Sequence, residues 1–311
     1  MSATINTVTG PISPEALGRT LMHEHVLVEY GTAMQDSRPL GAARAHILST
    51  CLNFANQVRD CGVTTVVDPT TTDLGRNIPL LATVSEQTGL QIVCCTGIYS
   101  TSTYQALRLR LGGSHAIADL FIKELTEGIG DTGVKAGIIK LVTGHEIDDD
   151  DYELLACCAK ASVATGAPII THTEGILGPE QQQILHEAGV PLEKIIVGHS
   201  CISTSFKYHQ QIARTGSYLG FDRFGMEGGM PDEVRVESMK KLIDAGLLDN
   251  VIVSHDSVWY WVNGPAIGQG PYKNWKPTNF FERVIPMLAY NGVSEDQIET
   301  ILTDNPRRYF A

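Results

Sequence analysis

The chain has no run approaching 18 consecutive apolar residues, so nothing in it reads as a membrane-spanning helix. Its start, MSATINTVTG, carries neither a basic stretch nor an apolar core. No secretory signal is expected there, and the cytoplasm is the expected location. Positive charge is scarce: 23 Lys and Arg stand against 35 Asp and Glu, a net charge of −12. That balance argues against a nucleic-acid groove or an anionic membrane surface as the principal partner and favours a small-molecule substrate. The seven cysteines (Cys51, Cys61, Cys94, Cys95, Cys157, Cys158 and Cys201) show no CxxC spacing. A zinc ribbon needs that spacing, so they are expected as reduced core residues. No Pro/Ser-rich linker or low-complexity tract divides the sequence, and residues 1–311 are expected to form a single domain.

What the chain does have is 43% hydrophobic and 19% charged residues over 311 positions, enough for a sizeable core. Short Val- and Ile-rich runs alternate with longer amphipathic segments, the pattern of repeated βα units around a parallel sheet. The runs fall near residues 19–25, 62–69, 91–99, 136–142, 168–172, 194–199, 217–222 and 250–256. Runs such as GIIKLV, PIITH and KIIVGH are apolar on both faces, as strands covered by helices must be. Segments 179–188 and 232–245 carry helical periodicity, the second opening with Pro-Asp-Glu. Eight such units predict a (β/α)₈ TIM barrel, with a doubly wound open sheet as the competing arrangement. The first 18 residues read as a short hairpin turning at Gly10-Pro11.

Several of these runs end on residues suited to chemistry. His23-Glu24-His25 closes the first; strand alternation puts the two imidazoles on one face, about 6.6 Å apart along the chain, and turns Glu24 the other way. An isolated HxH also fits two polar residues that merely close a strand. Lys140 lies inside GIIKLV, where an ammonium is costly to bury unless paired or modified. A Schiff-base lysine of lowered pKa would explain it, as would a carbamate formed with carbon dioxide, or a side chain snorkelling to the strand end. His172 ends PIITH, His199 ends IIVGH and Asp256 ends VIVSHD. Catalytic groups of a barrel enzyme gather at that face, and a nitrogen and oxygen set without thiolate suits zinc, iron, cobalt or manganese. By alternation His255 turns away from the axis.

The order HEH, IIK, THT, GHS and SHD along a barrel resembles the phosphotriesterase family of the amidohydrolase superfamily. Matching pieces include TGIY at 96–99, TGVKAGIIK at 132–140, EQQQIL at 180–185, FDRFG at 221–225 and NPRRYF at 305–310. Because of Tyr99 and the DRFG segment with Arg223, the chain is most similar to the phosphotriesterase-like lactonases. The resemblance implies two divalent metal ions, zinc being the expected metal, with His23, His25 and Asp256 on the buried one and His172 and His199 on the exposed one. An N6-carboxylated Lys140 and a hydroxide would bridge them. The hydroxide would be the nucleophile, and Asp256, with Lys140 in the catalytic set, the proton shuttle. Tyr99 and Arg223 would lie beside the metals to position substrate, and a homodimer is expected.

All three tryptophans, Trp259, Trp261 and Trp275, follow Asp256 in a long segment that reads as a lid, with Trp259 and Trp261 expected to bind substrate. Residues 224–231 hold three glycines and two methionines, an adaptable stretch. After His199 the chain has Ser-Cys-Ile-Ser where many members of the family carry a Gly-Asp or Asp-Asp segment. Glu146, Glu174 and Glu227 would place negative charge around the pocket, offset by Arg108 and Arg110 in the loop after strand three. The expected activity is opening of acyl- or alkyl-substituted lactones, such as N-acyl homoserine lactones, with weak promiscuous phosphotriesterase activity. A phosphotriesterase, carboxylesterase or amidase would use the same centre. A Schiff-base lyase would need Lys140 free and no metal.

Overall fold

The computed structural model of the chain describes residues 4–30 and 40–311. Eight parallel strands follow one another in sequence order: β1 (Arg19–Leu21), β2 (Val63–Asp68), β3 (Gln91–Ile98), β4 (Ile138–Leu141), β5 (Ile169–Ile170), β6 (Ile195–Val197), β7 (Tyr218–Phe221) and β8 (Val251–Val253). Each pairs with its neighbours in parallel register, for example Cys95 with Ile138 and Gly97 with Lys140. Between β8 and β1 the seam is closed by the Met22 N–H donating to Val253 O at 3.2 Å and the Asp256 N–H to His23 O at 3.0 Å. The sheet is thus a barrel rather than an open, doubly wound sheet.

Every run expected as a strand forms one, because continuous Val and Ile suits a backbone buried on both faces. Helices stand between them, among them Thr101–Leu111, Asp149–Thr165, Gly178–Glu187 and Asp232–Asp244. Asp148 starts the helix Asp149–Thr165 with a reciprocal capping box to Asp151, satisfying N–H groups that the first turn leaves unpaired. No helix among the described residues is long and apolar enough to cross a membrane.

Two apolar regions hold the barrel. The larger fills the space between strands and helices. The smaller lies inside the barrel, where Met22, Val67, Ile138, Ile170, Ile196 and Ile252 pack together. Its floor is closed by Ile5 and Leu17 from the N-terminal segment and by Tyr309 and Phe310 from the last helix, Asn305–Phe310. That is the structural use of NPRRYF. The N-terminal segment is an antiparallel hairpin, Ile5–Thr7 with Gly10–Ile12. Its turn is Val8-Thr9, not Gly10-Pro11: Gly10 faces Thr7 across the ladder, and Thr7 Oγ1 donates to Gly10 O at 2.6 Å.

Two other expectations are corrected. The stretch after Asp256 does not begin as a loop: Ser257–Trp261 is a strand pairing in parallel with Glu24–Val28, an upward continuation of the barrel seam. Buried Glu24 binds this seam together. Its Oε1 accepts from Ser254 Oγ, the His255 N–H and His255 Nδ1 at 2.7–2.9 Å, and its Oε2 accepts from Ser257 Oγ. Arg108 and Arg110 lie in the helix Thr101–Leu111 rather than in a loop, and Arg108 is paired with Asp150 and Glu153 at 2.9 Å, so it does not offset charge in the pocket. All seven cysteines are free thiols, six of them buried.

Candidate metal centre

At the C-terminal end of the barrel the strand termini aim His23, His25, Lys140, His172, His199 and Asp256 into one cavity of about 160 Å³. Tyr99 and Arg223 line the same cavity, with an apolar wall of Val28, Leu74, Met226, Val258, Trp261 and Trp275. His199 and Asp256 reach inward on left-handed backbone, with φ of 57° and 52°. For non-glycine residues this costs about 1–3 kcal/mol each, which the surrounding hydrogen bonds must offset. Gly97, at φ 124°, lets β3 approach β4 beside this cavity: a Cβ there would lie 1.8 Å from Lys140 O. This is what the glycine of TGIY does.

Each of the four imidazoles has one nitrogen tied down and the other facing the centre. Asp222, wholly buried, accepts from His23 Nδ1 at 3.0 Å and from His199 Nδ1 at 2.9 Å. His25 Nδ1 contacts Thr70 Oγ1 at 2.8 Å, and Thr70 is itself held by its N–H donating to Asp68 Oδ1 at 2.9 Å. His172 reverses the pattern: its Nε2 contacts Glu174 Oε1 at 2.8 Å and its Nδ1 faces the centre. A carboxylate accepts only, so Asp222 and Glu174 fix the protonated nitrogen and leave the inward one with a lone pair.

Those inward atoms converge. His199 Nε2 and His172 Nδ1 are 3.0 Å apart, His25 Nε2 is 3.1 Å and His23 Nε2 3.4 Å from Asp256 Oδ1, and Lys140 Nζ is 3.5 Å from His23 Nε2. Ligand atoms of His23, His199 and Asp256 all lie within 4.8 Å of one another, with His25 and His172 flanking them. Two imidazole lone pairs facing each other at 3.0 Å repel unless a proton or a cation lies between them. Burial lowers the pKa of His199 and His172, holding both rings neutral, and takes His23 down to about 4. A donor set of neutral nitrogens and a carboxylate around a common point fits divalent cations.

Lys140 is fully buried, and burial brings its pKa down to about 8, opposed by the charges of Asp256 and Asp222. Its amine is therefore far more available in neutral form at neutral pH than that of a surface lysine. For Asp256 burial favours the protonated acid, but the facing His199 and His23, with His25 and Arg223, outweigh it and keep the carboxylate ionised. Arg223 Nε donates to Asp256 Oδ2 at 3.0 Å. Tyr99 stands edge-on to the His172 ring, with centroids 5.4 Å apart, and burial raises its pKa, so its hydroxyl stays protonated.

Not all the candidate residues meet. Trp261 lines the cavity, stacked near Tyr30 and Trp275, but Trp259 is buried against Phe54 and lines a separate cavity of about 490 Å³ beside helix α1 (Arg44–Asp60). Trp259 is therefore not beside the converging imidazoles and Asp256. Glu146 is exposed, and Glu227 is engaged by Asn274 and Arg283; of the three acidic residues only Glu174 touches the centre. His255, buried between Glu24 and the Phe280 N–H, stays out of the site.

Sequence reasoning missed Asp222, although it quoted FDRFG; a buried polar residue ending β7 was the available signal. It also missed Asp73, whose carboxylate accepts from the Tyr99 and Ser100 N–H groups at 2.8–3.1 Å and so pins Tyr99 at the cavity. Gln181, from EQQQIL, donates to His172 O at 2.9 Å and Thr143 Oγ1 at 2.8 Å, bracing the strand end that carries His172.

The model of the phosphotriesterase family matches residues 3–310. An aryldialkylphosphatase of Saccharolobus solfataricus is 34% identical over 96% of this chain and 97% of its own length. An organophosphorus hydrolase from Deinococcus radiodurans superposes with a TM-score of 0.92 at 35% identity, over 100% of this chain and 97% of that one. A mutant of a PTE-like lactonase from the same organism gives 0.91 at 34% identity, over 99% and 100%. The chain belongs to the phosphotriesterase family and is a metal-dependent hydrolase on a (β/α)₈ barrel.

Proposed function

We propose that the chain is a lactonase acting on lactones with an acyl or alkyl substituent, with weak phosphotriesterase activity beside it. The observation that carries the reading is one cavity in which a convergent donor set meets a single apolar wall of Met226, Val258, Trp261 and Trp275. A phosphotriester has three substituents to bury around a tetrahedral centre. A cavity of about 160 Å³ with one apolar side better suits a ring carrying one substituent, which would run out past Trp261 towards the mouth. The structural similarity to a PTE-like lactonase supports the same choice.

In this reading His23, His25 and Asp256 would hold one divalent ion and His172 and His199 the other, with a carboxylated Lys140 as a further ligand. When bound, the ions supply Lewis acidity to the scissile carbonyl and lower the pKa of water towards neutrality. The residues of the chain do the rest. Asp256, kept ionised and held by Arg223, accepts the proton of the attacking water and passes it to the ring oxygen as the ester bond breaks. Tyr99, kept protonated, offers a hydrogen bond to a substrate oxygen. The apolar wall excludes water from the substituent and orients the ring. Phosphotriester hydrolysis is the second reading, favoured by the similarity to an aryldialkylphosphatase.

A panel of lactones and paraoxon-like triesters, assayed with and without chelator, tests this. Lactones should show the higher kcat/KM. Each methylene buried against the wall should contribute about 0.8 kcal/mol, and Trp261→Ala should reduce kcat/KM more for long-chain than for short-chain lactones. Efficient triester or amide cleavage with no lactone opening by the fully metallated enzyme would overturn the lactonase assignment.

A further inference from the structure

Of the four imidazoles, His172 is oriented differently from the rest. The partners of His23, His25 and His199 are the buried Asp222 and Thr70, whereas that of His172 is Glu174, whose side chain is 42% exposed. The loop that carries Glu174 is fixed on both sides. Thr173 Oγ1 donates to Gly198 O at 2.9 Å, and Gly175 packs so closely on the next loop that a Cβ would lie 2.9 Å from Ser203 N. With Oε1 on His172, Glu174 Oε2 faces Arg223 Nη1 at 3.8 Å, beyond a good hydrogen bond, while Arg223 spends its Nε on Asp256. The carboxylate thus links His172 to Arg223 and, through it, to Asp256, a chain of contacts across the ends of β5, β7 and β8. Its second oxygen is left only partly compensated, on an exposed side chain that touches His172 and faces Arg223, both of which line the cavity.

We propose that Glu174 is a positioning and specificity-determining residue: it fixes His172 with Nδ1 towards the metals, and its charge makes the cavity mouth select against anionic substrates. The inference rests on the metal-hydrolase reading of this cavity. The two tasks separate chemically. Orientation needs an acceptor opposite His172 Nε2, which an amide oxygen can supply. Rejection of anions needs the negative charge, which an amide lacks. A lactone or ester bearing a free carboxylate or a phosphate monoester would meet like charge at Glu174, whereas a neutral acyl substituent would not.

The test compares holoenzymes of the parent, Glu174→Gln and Glu174→Ala. Zinc retained after graded chelator dialysis is measured first, without substrate, with thermal melts to verify folding. Glu174→Ala should retain zinc roughly 10–100-fold more weakly than the parent, in the range found when a ligand's hydrogen-bonding partner is removed, and Glu174→Gln should restore most of it. The ratio of KM for a carboxylate-bearing lactone to KM for its neutral methyl ester should then fall at least several-fold in Glu174→Gln. Parent-like zinc retention in a folded Glu174→Ala would overturn the positioning role, and an unchanged KM ratio in Glu174→Gln the specificity role. A parent that holds zinc yet opens no lactone would count against the lactonase reading alone; the KM ratio is then taken with neutral and carboxylate-bearing aryl triesters.

Discussion

In the lower half of the barrel Met22, Ile138, Ile170, Ile196 and Ile252 fill the interior with side chains removed from water. One to four residues further along the same strands His23, Lys140, His172, His199 and Asp256 face one another across the cavity. The lower layer is held by apolar burial, which tolerates exchange of one well-packed shape for another. The upper layer is held by hydrogen bonds from behind, by Asp222, Thr70, Glu174 and Glu24, and contains two residues in left-handed conformations. Stability and chemistry are therefore separated by a single layer of side chains within one fold, and a substitution should register mainly in one or the other.

The largest effect should come from below. Ile196→Ala, leaving a void in the interior layer, should destabilise the protein by roughly 2–5 kcal/mol. Measured by denaturant unfolding, that loss should leave metal content and activity per folded molecule close to the parent's. A variant that instead lost metal at unchanged stability would erase the distinction between layers.

From above, Lys140→Ala should lower kcat/KM by more than about 100-fold, or some 2.7 kcal/mol, with little change in denaturant midpoint. A short-chain carboxylic acid should restore part of the activity by occupying the place of the carbamate. Since the amine must be neutral to take up carbon dioxide and its pKa is near 8, reconstitution of the metal-free protein at fixed dissolved carbon dioxide should accelerate as pH rises through that value. Borohydride trapping of a substrate adduct on Lys140 would favour a Schiff base instead.

Asp222→Asn sharpens the comparison further, because it alters neither layer's packing but disturbs the tautomers of two ligands at once. It should cost roughly 10–100-fold in metal affinity or activity, read by chelator competition. Parent-like affinity would mean that His23 and His199 need no fixing from behind.

How legible each layer was in the sequence follows from its physics. The strands could be found because burial on both faces leaves uninterrupted Val and Ile, and the strand-end residues because His, Lys or Asp interrupts such a run at the same point each time. Trp259 lies away from the centre because residues 257–261, which read as part of a lid loop, form a strand paired with Glu24–Val28 in which Trp259 is buried against Phe54. Arg108 was misplaced because its helix is weakly amphipathic and begins directly after the strand-end Tyr99 and Ser100. Asp222 ends a strand run as the other site residues do, but its imidazole partners, like the backbone N–H partners of Asp73, are brought near only by folding and leave no trace in linear spacing.

Metal stoichiometry tests the central claim most directly. Protein produced with divalent metal and bicarbonate, freed of loosely held ions and measured by elemental analysis, should contain close to two ions per chain, because the six converging strand-end ligands exceed what one tetrahedral ion requires. A value that stays at one or zero after careful reconstitution would contradict the binuclear centre.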